Sequence, residues 1–104
     1  MITKTEKYTA ILSNYLLDFE AKFKDADDGL KTVTVLDKER GHFQSLVHGF
    51  QNDRFIFIVQ FHFDIIDEKV WVLKNSTDVE LGEELNQIGI PNSDIVIGFL
   101  PEYE

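Results

Sequence analysis

Two long apolar segments, residues 43–51 and 54–65, are separated only by Asn52 and Asp53. Asparagine and aspartate tolerate the left-handed backbone conformation that the central residues of a tight β-hairpin turn adopt. The sequence therefore predicts two antiparallel strands, over residues 43–51 and 54–65, joined by a two-residue turn. The second segment has hardly a polar face, so we expect both of its faces to be covered, by helices or by a second subunit.

A long helix is predicted before these strands. Thr3 and Glu6 have the spacing of a capping box, and apolar residues follow them at intervals of three and four. This pattern predicts a helix over residues 5–23. Alternating or continuous apolar character predicts three further strands, over residues 31–37, 69–73 and 95–99.

A second helix is predicted between two clear boundary signals. Thr77 and Glu80 form a second capping-box pair, and Gly89 followed by Pro91 is typical of a helix end. The element order is then α-β-β-β-β-α-β, within a single domain over residues 1–104. This order predicts an α+β fold, a two-layer sandwich with both helices on one face of a mainly antiparallel sheet. The opposite face is a candidate homodimer surface.

The charge balance restricts the partners of this chain. Ten basic and 19 acidic residues give a net charge of −9. Such a surface repels phosphates on average, so we expect no direct binding to nucleic acid. The chain has no cysteine, which excludes disulfides and thiolate chemistry. No apolar run approaches the roughly 20 residues that span a bilayer, so we expect a soluble cytoplasmic protein without membrane contact.

His62 and Asp64 are the first candidate site residues. Two residues apart in a strand, they should face the same side, where they could share a metal ion or a proton. A metal normally needs a third ligand, for which His42 is the nearest candidate. A continuous hairpin register, however, places Phe43 opposite His62 and points His42 to the other face. The favoured interpretation is a histidine held by a hydrogen bond, and no metal or cofactor is predicted.

Arg40, Arg54 and Trp71 are the other candidates. Both arginines flank turns beside acidic residues, so solvated ion pairs are favoured over a phosphate or carboxylate clamp. Alternation places Trp71 on the face opposite Val70 and Val72. It is either a half-exposed protein contact or part of the packing against the second helix, and both alternatives stay open. No serine-nucleophile motif or glycine-rich phosphate loop is present, so no catalytic residue is predicted.

Two segments carry a family resemblance. The string GIPNSDIVIGF over residues 89–99 and the strand KVWV over residues 69–72 are similar to strings of the XisI family, the fdxN-element excision controlling factors. Phe50 stands where this family usually has tryptophan, and Asp78 where it usually has glutamate. The family's arginine-containing tail does not follow Pro101 in this sequence, which leaves open any contact that the tail makes with a partner or a second subunit. Further similar positions are Asp37, Arg40, His42, Phe43, Gly49, His62, Asp64, Ile65 and Thr77.

The resemblance implies an XisI-like fold and a non-enzymatic accessory role. Proteins of this family accompany an XisH protein, which has a nuclease-type fold, and a site-specific recombinase in excising a DNA element in nitrogen-fixing cyanobacteria. We therefore expect an XisH-like partner, and a recombinase as a further one. Partner binding is expected at Trp71, Phe50, Arg40, Arg54, His62 and Asp64.

Two other functions stay open at this point. Acidic clusters at residues 25–28 and 102–104 are compatible with an antitoxin-like inhibitor that mimics DNA phosphates and blocks a nuclease-fold partner. A metal-dependent hydrolase using His62 and Asp64 is the remaining alternative, and it requires a third ligand.

Overall fold

The computed structural model of the chain describes residues 1–99. Its elements follow the predicted order, which confirms the α+β class. The short last strand is preceded by a 3₁₀ turn, Asn92–Asp94. The helices and strands are α1 (Lys4–Lys22), β1 (Leu30–Asp37), β2 (His42–Gln51), β3 (Arg54–Ile66), β4 (Lys69–Asn75), α2 (Leu81–Gln87) and β5 (Ile95–Ile97).

The five strands form one sheet in the order β1-β2-β3-β4-β5. The first four are antiparallel neighbours, and β5 pairs with β4 in parallel. A parallel neighbour requires a crossover connection, which α2 supplies. The predicted mainly antiparallel sheet is therefore confirmed. No described helix combines the length and the apolar character that a membrane-spanning segment needs.

Two tight turns set the positions of β2, β3 and β4. Asn52 and Asp53 have φ angles of +52° and +63°, so the turn predicted at these residues is confirmed. A second turn of the same kind lies at Asp67 and Glu68, with φ angles of +50° and +61°. Positive φ at both central residues is the geometry of a type I′ turn, whose twist matches that of the flanking strands.

The hydrophobic core lies between the two helices and one face of the sheet, here called the inner face. Thr3 caps α1 as predicted: its hydroxyl accepts a hydrogen bond from the Glu6 amide at 3.1 Å, and the Glu6 carboxylate accepts one from the Thr3 amide at 3.0 Å. Four aromatic rings, those of Tyr8, Phe43, Phe61 and Phe63, belong to this core, where each buries a large apolar area. The buried residues are Tyr8, Leu12, Leu16, Phe43, Phe61, Phe63, Val70, Val72, Leu81, Leu85 and Ile90.

The start of α2 differs from the prediction. The helix begins at Leu81, and its N-cap is Glu80, which makes no side-chain capping bond. Thr77 instead closes a turn before the helix: its hydroxyl accepts from the Val79 amide at 3.1 Å and donates to Asn75 at 2.7 Å. The predicted Thr77–Glu80 capping box is therefore wrong, because the threonine hydroxyl is engaged with the end of β4.

The end of α2 agrees with the prediction. Gly89 has a φ of +120° and follows the C-cap residue, Ile88. The Ile90 amide donates to the Leu85 carbonyl at 3.0 Å, and the Gly89 amide donates to the Asn86 carbonyl at 3.2 Å. These two bonds are the pattern of a Schellman motif, which satisfies carbonyl groups at a helix end and favours glycine at this position.

A buried hydrogen bond ties α1 to the turn before β5. The Tyr8 hydroxyl donates to the Asp94 carboxylate, and Lys4 Nζ lies 3.3 Å from the same carboxylate. Burial and the bond to Asp94 raise the pKa of Tyr8 to about 12. The bond from Tyr8, helped by Lys4, lowers the pKa of Asp94 below its ordinary value. Both shifts favour the pair of a neutral phenol and a carboxylate in the folded protein.

Tyr8→Phe is expected to lower the free energy of unfolding by about 1.5 kcal/mol near neutral pH, since the buried Asp94 carboxylate loses its donor. In the native protein, the contribution of Tyr8 to the free energy of unfolding is fully present below pH 10, and it is lost as the pH rises toward 12. The Asp94 contribution is present above its unfolded pKa and lost as the pH falls through its lower folded value. Urea unfolding measured from acidic to alkaline pH should show a loss of stability at each end. Both losses should be weaker in Tyr8→Phe.

Tyr15→Phe is the matched control for the loss of stability at acidic pH. Tyr15 donates to the exposed Glu84 carboxylate at 2.7 Å and makes no bond to Asp94. The pKa of Tyr15 is also raised, by burial and by its bond to Glu84, so this variant should reduce only the alkaline loss of stability. Equal acid sensitivity of Tyr8→Phe and the native protein would contradict the role given to Asp94.

Candidate functional site

The face of the sheet away from the helices, here called the outer face, carries an aromatic patch near the β2–β3 turn. The patch consists of His48, Phe50, Phe55 and Phe57, which share one face because they are paired across β2 and β3. The Phe50 and Phe55 rings lie 5.2 Å apart, and the His48 and Phe57 rings stack at 6.2 Å. Phe50, Phe55 and Phe57 remain 60–65% exposed. No helix or strand within residues 1–99 covers them.

The sequence predicts that both faces of β3 are covered, but within residues 1–99 only one of them is. Helices cover only the inner face, where Phe61 and Phe63 are fully buried. The outer face at Phe55 and Phe57 is open. Covering of this face by a second subunit or another protein stays a prediction.

A histidine–aspartate cluster, consisting of His42, His62 and Asp64, lies on the outer face at the other end of the hairpin. Asp64 Oδ1 is 2.7 Å from His42 Nδ1 and 2.8 Å from His62 Nε2. The carboxylate is largely buried, with 16% of its side chain exposed, whereas the His42 side chain is 50% exposed. The cluster thus opens to solvent on the His42 side.

A β-bulge produces this cluster and corrects the predicted register. The pairing of β2 with β3 shifts between Ser45–Phe61 and Leu46–Val59, so Gln60 is an extra residue in β3. Phe43 then lies opposite Phe63, not opposite His62, and His42 lies opposite Asp64. The prediction that His42 points to the other face is wrong, because it assumed an uninterrupted ladder. His42 shares the face of His62 and Asp64.

Neighbouring groups set the ionisation of Asp64 and the orientation of His62. His62 Nδ1 lies 2.9 Å from the Gln44 amide oxygen, which faces it across the strand pair. Desolvation raises the pKa of Asp64, but hydrogen bonds and charges from His42 and His62 outweigh it, so the pKa lies below its ordinary value. Asp64 is therefore an anion at neutral pH. The expected hydrogen-bonded histidine is confirmed, with Asp64 as its partner.

Trp71 lies beside this cluster on the outer face. It is paired with Asp64 on β3 and with Val96 on β5, and it is half-buried. Its ring is close to Gly98: a Cβ atom at that position would lie 3.0 Å from Trp71 Cε3. Of the two alternatives left open by the sequence, packing against the second helix is wrong, because α2 covers the inner face.

The two arginines behave differently from each other. Arg40 Nη1 lies 3.3 Å from Asp37 Oδ2, and the Arg40 amide donates to Asp37 Oδ1 at 2.9 Å. The hydrogen bond from the Arg40 backbone amide, together with the Arg40 guanidinium, lowers the pKa of Asp37. The predicted ion pair is thus confirmed at Arg40. Arg54, opposite Gln51, forms no ion pair within residues 1–99, so the pair expected with Asp53 is absent there.

The predicted binding residues form two groups rather than one site. His62, Asp64 and Trp71 are neighbours at one end of the sheet, and Phe50 and Arg54 lie at the other. Eight residues of β2 separate the two ends, which at about 3.4 Å per residue is about 27 Å. Sequence reasoning missed four outer-face residues: Gln44, His48, Phe55 and Phe57.

Comparisons with known proteins identify the family and the fold of this chain. The family model described as XisI protein matches residues 2–104. A crystal structure of a XisI-like protein from Anabaena variabilis ATCC 29413 superposes with a TM-score of 0.85 and 33% sequence identity, covering 93% of this chain and 88% of that chain. No curated protein sequence matches the chain.

A second crystal structure, of the fdxN element excision controlling factor XisI from the same organism, has a TM-score of 0.78. It covers 95% of this chain and 89% of that chain at 20% identity, and so supports the fold alone. The family match extends over nearly the whole length, and the 33% identical structure covers almost all of the described fold. This chain belongs to the XisI family.

Proposed function

We propose that this protein is a non-enzymatic accessory protein that binds an XisH-like partner and thereby controls excision of a DNA element by a site-specific recombinase. The observation that carries the proposal is the exposed aromatic patch on the outer face of a strongly acidic chain. Its family membership supports a role in excision control.

The aromatic patch has the character of a protein-binding surface. Three phenylalanine rings, at Phe50, Phe55 and Phe57, are exposed side by side on two paired strands. Contiguous exposed apolar groups on a monomer typically mark an interaction site, and large aromatic side chains dominate binding energy at interfaces. The open face of β2 and β3 therefore supports binding of a folded protein.

The charge of the chain favours an indirect action on DNA. With a net charge of −9, the protein repels DNA phosphates on average. A DNA-active partner with a basic surface would instead be attracted, which raises the rate of association. Control of excision through the partner is consistent with both the apolar patch and the acidity.

Phe57→Asp is expected to weaken binding of the XisH-like product of the same genome by at least about 30-fold, about 2 kcal/mol, because it places a charge in the patch. The measurement is co-purification of the two proteins, light scattering for the mass of the complex, and calorimetry for its affinity. Leu17→Asp, at an exposed apolar residue of α1, is the control. Equal affinity of the native protein and Phe57→Asp would overturn the assignment of the patch.

The alternative function is an antitoxin-like inhibitor that mimics DNA phosphates. It is favoured by the exposed acidic residues Asp25, Asp27 and Asp28 in the loop after α1. The second acidic cluster, at residues 102–104, lies outside the described residues. Salt distinguishes the two functions: a complex held by charge weakens steeply with ionic strength, whereas one held by the aromatic patch barely responds.

The homodimer predicted from the sequence would use the same outer face. Light scattering of the protein alone measures this state. A dimer that persists in the presence of the XisH-like protein, without forming a mixed complex, would contradict the proposed function. A dimer that the partner displaces would agree with it.

A further inference from the structure

The histidine–aspartate cluster holds three metal-binding side chains in a prearranged position. One candidate ligand atom from each of His42, His62 and Asp64 lies within 4.8 Å of the other two. His42 belongs to β2, and the other two residues belong to β3, which is hydrogen-bonded to strands on both sides. The sheet therefore fixes the positions of all three residues before any ion binds.

The hydrogen-bond partners of His62 are compatible with metal binding. Its Nδ1 lies 2.9 Å from the Gln44 amide oxygen, to which the Nδ1–H tautomer can donate a hydrogen bond. In that tautomer the lone pair of Nε2 is the one that a metal ion would bind, and Nε2 lies 2.8 Å from the Asp64 carboxylate oxygen.

We propose that His42, His62 and Asp64 bind one divalent transition-metal ion of the zinc type on the outer face of the sheet. Two imidazole nitrogens and one carboxylate oxygen are a donor set that suits zinc and its neighbours in the first transition row, and not calcium or magnesium. Three protein ligands leave one position of a tetrahedral ion open to water or to a group from a partner.

Only small movements are needed to admit the ion. Zinc bonds of about 2.1 Å in a tetrahedral arrangement place neighbouring ligand atoms about 3.4 Å apart. The present separations, 2.7 Å and 2.8 Å, must increase by about 0.7 Å and about 0.6 Å respectively. The half-exposed ring of His42 can rotate to provide this space, because one side of it meets solvent.

Second contacts support the ligand geometry. Gln44 is a positioning residue: its hydrogen bond to Nδ1 holds the His62 ring with Nε2 toward the site, as such bonds do for metal-bound histidines. Trp71, paired with Asp64 across the strands, is an apolar neighbour on the same face. The site lies at the opposite end of the β2–β3 hairpin from Phe50 and Phe55, and none of its residues belongs to the aromatic patch, so this inference does not depend on the proposed function.

Calorimetric titration of the chelator-treated protein with Zn²⁺ tests the site. We expect one ion per chain with micromolar or tighter affinity. His62→Ala and Asp64→Asn should weaken binding at least about 100-fold, and Gln44→Ala about tenfold. The remaining histidine supplies the matched control: His48→Ala should leave the affinity unchanged, since His48 lies in the aromatic patch. Circular dichroism confirms that each variant is folded.

A measurement on the native protein covers the case of a variant that does not fold. In NMR spectra, one equivalent of Zn²⁺ should shift the ring signals of His42 and His62 and not those of His48. Several weak ions per chain, the same affinity in His62→Ala, or a shift of His48 alone would each overturn the proposal, since zinc would then be held elsewhere on the protein.

Discussion

Replacing Gly49 with alanine is expected to lower the free energy of unfolding by about 3–5 kcal/mol. Gly49 has a φ of +145°, in the region that favours glycine, and a Cβ atom there would lie 2.1 Å from the Gly29 carbonyl oxygen. That oxygen belongs to the backbone beside β1, so β1 must move away from β2 to relieve the contact. Chemical unfolding measured by circular dichroism gives the change directly.

Gly82→Ala is the matched control. Gly82 lies in the first turn of α2, and no atom comes within 4 Å of an added Cβ there. Alanine at this position should raise the free energy of unfolding by about 0.5 kcal/mol, because it lowers the entropy of the unfolded chain. Similar effects of the two substitutions would show that the close approach of Gly29 and Gly49 does not limit stability.

The second large effect is expected at Phe61, on the inner face of β3. Its ring is fully buried, 4.9 Å from the Phe19 ring and 6.1 Å from the Tyr15 ring. Phe61→Ala should lower the free energy of unfolding by about 3–5 kcal/mol, since it removes a buried aromatic side chain and leaves a cavity. Thermal and urea unfolding of the variant measure this loss.

Phe57→Ala is the comparison within the same strand. Phe57 is exposed on the outer face, so its removal should change the free energy of unfolding by only about 0.5 kcal/mol. If the proposed XisH-like partner binds at the aromatic patch, its affinity should fall more in Phe57→Ala than in Phe61→Ala, provided that both variants fold. A large loss of stability in Phe57→Ala would mean that the outer face is part of the folding core of the monomer.

The order of elements could be predicted because its signals are local. Asn52 and Asp53 carry the turn preference themselves, and Thr3 with Glu6 caps α1 as their spacing predicts. The same local reasoning failed at Thr77. Its hydroxyl is equally suited to a helix cap and to a turn, and the contact with Asn75 in β4 decides between them.

His62, Asp64 and Phe50 could be named from the sequence, but the complete candidate sites could not, because one inserted residue, Gln60, exchanges the faces of β3. The four phenylalanines at positions 55, 57, 61 and 63 are all odd-numbered, so simple alternation places them on one face. The bulge puts the first two outside and the last two in the core. The same shift brings His42 to the face of Asp64. A polar residue within an apolar strand is a weak signal, and only the pairing with β2 shows its effect.

The sheet topology also has a consequence for the kinetics of folding. Each of the first four strands pairs with its neighbour in sequence, so most sheet contacts require only short loops to close. The Tyr8–Asp94 bond, in contrast, joins residues 86 positions apart. We expect the four-stranded meander to form in the transition state, and the junction of α1 with the turn before β5 to be completed afterwards.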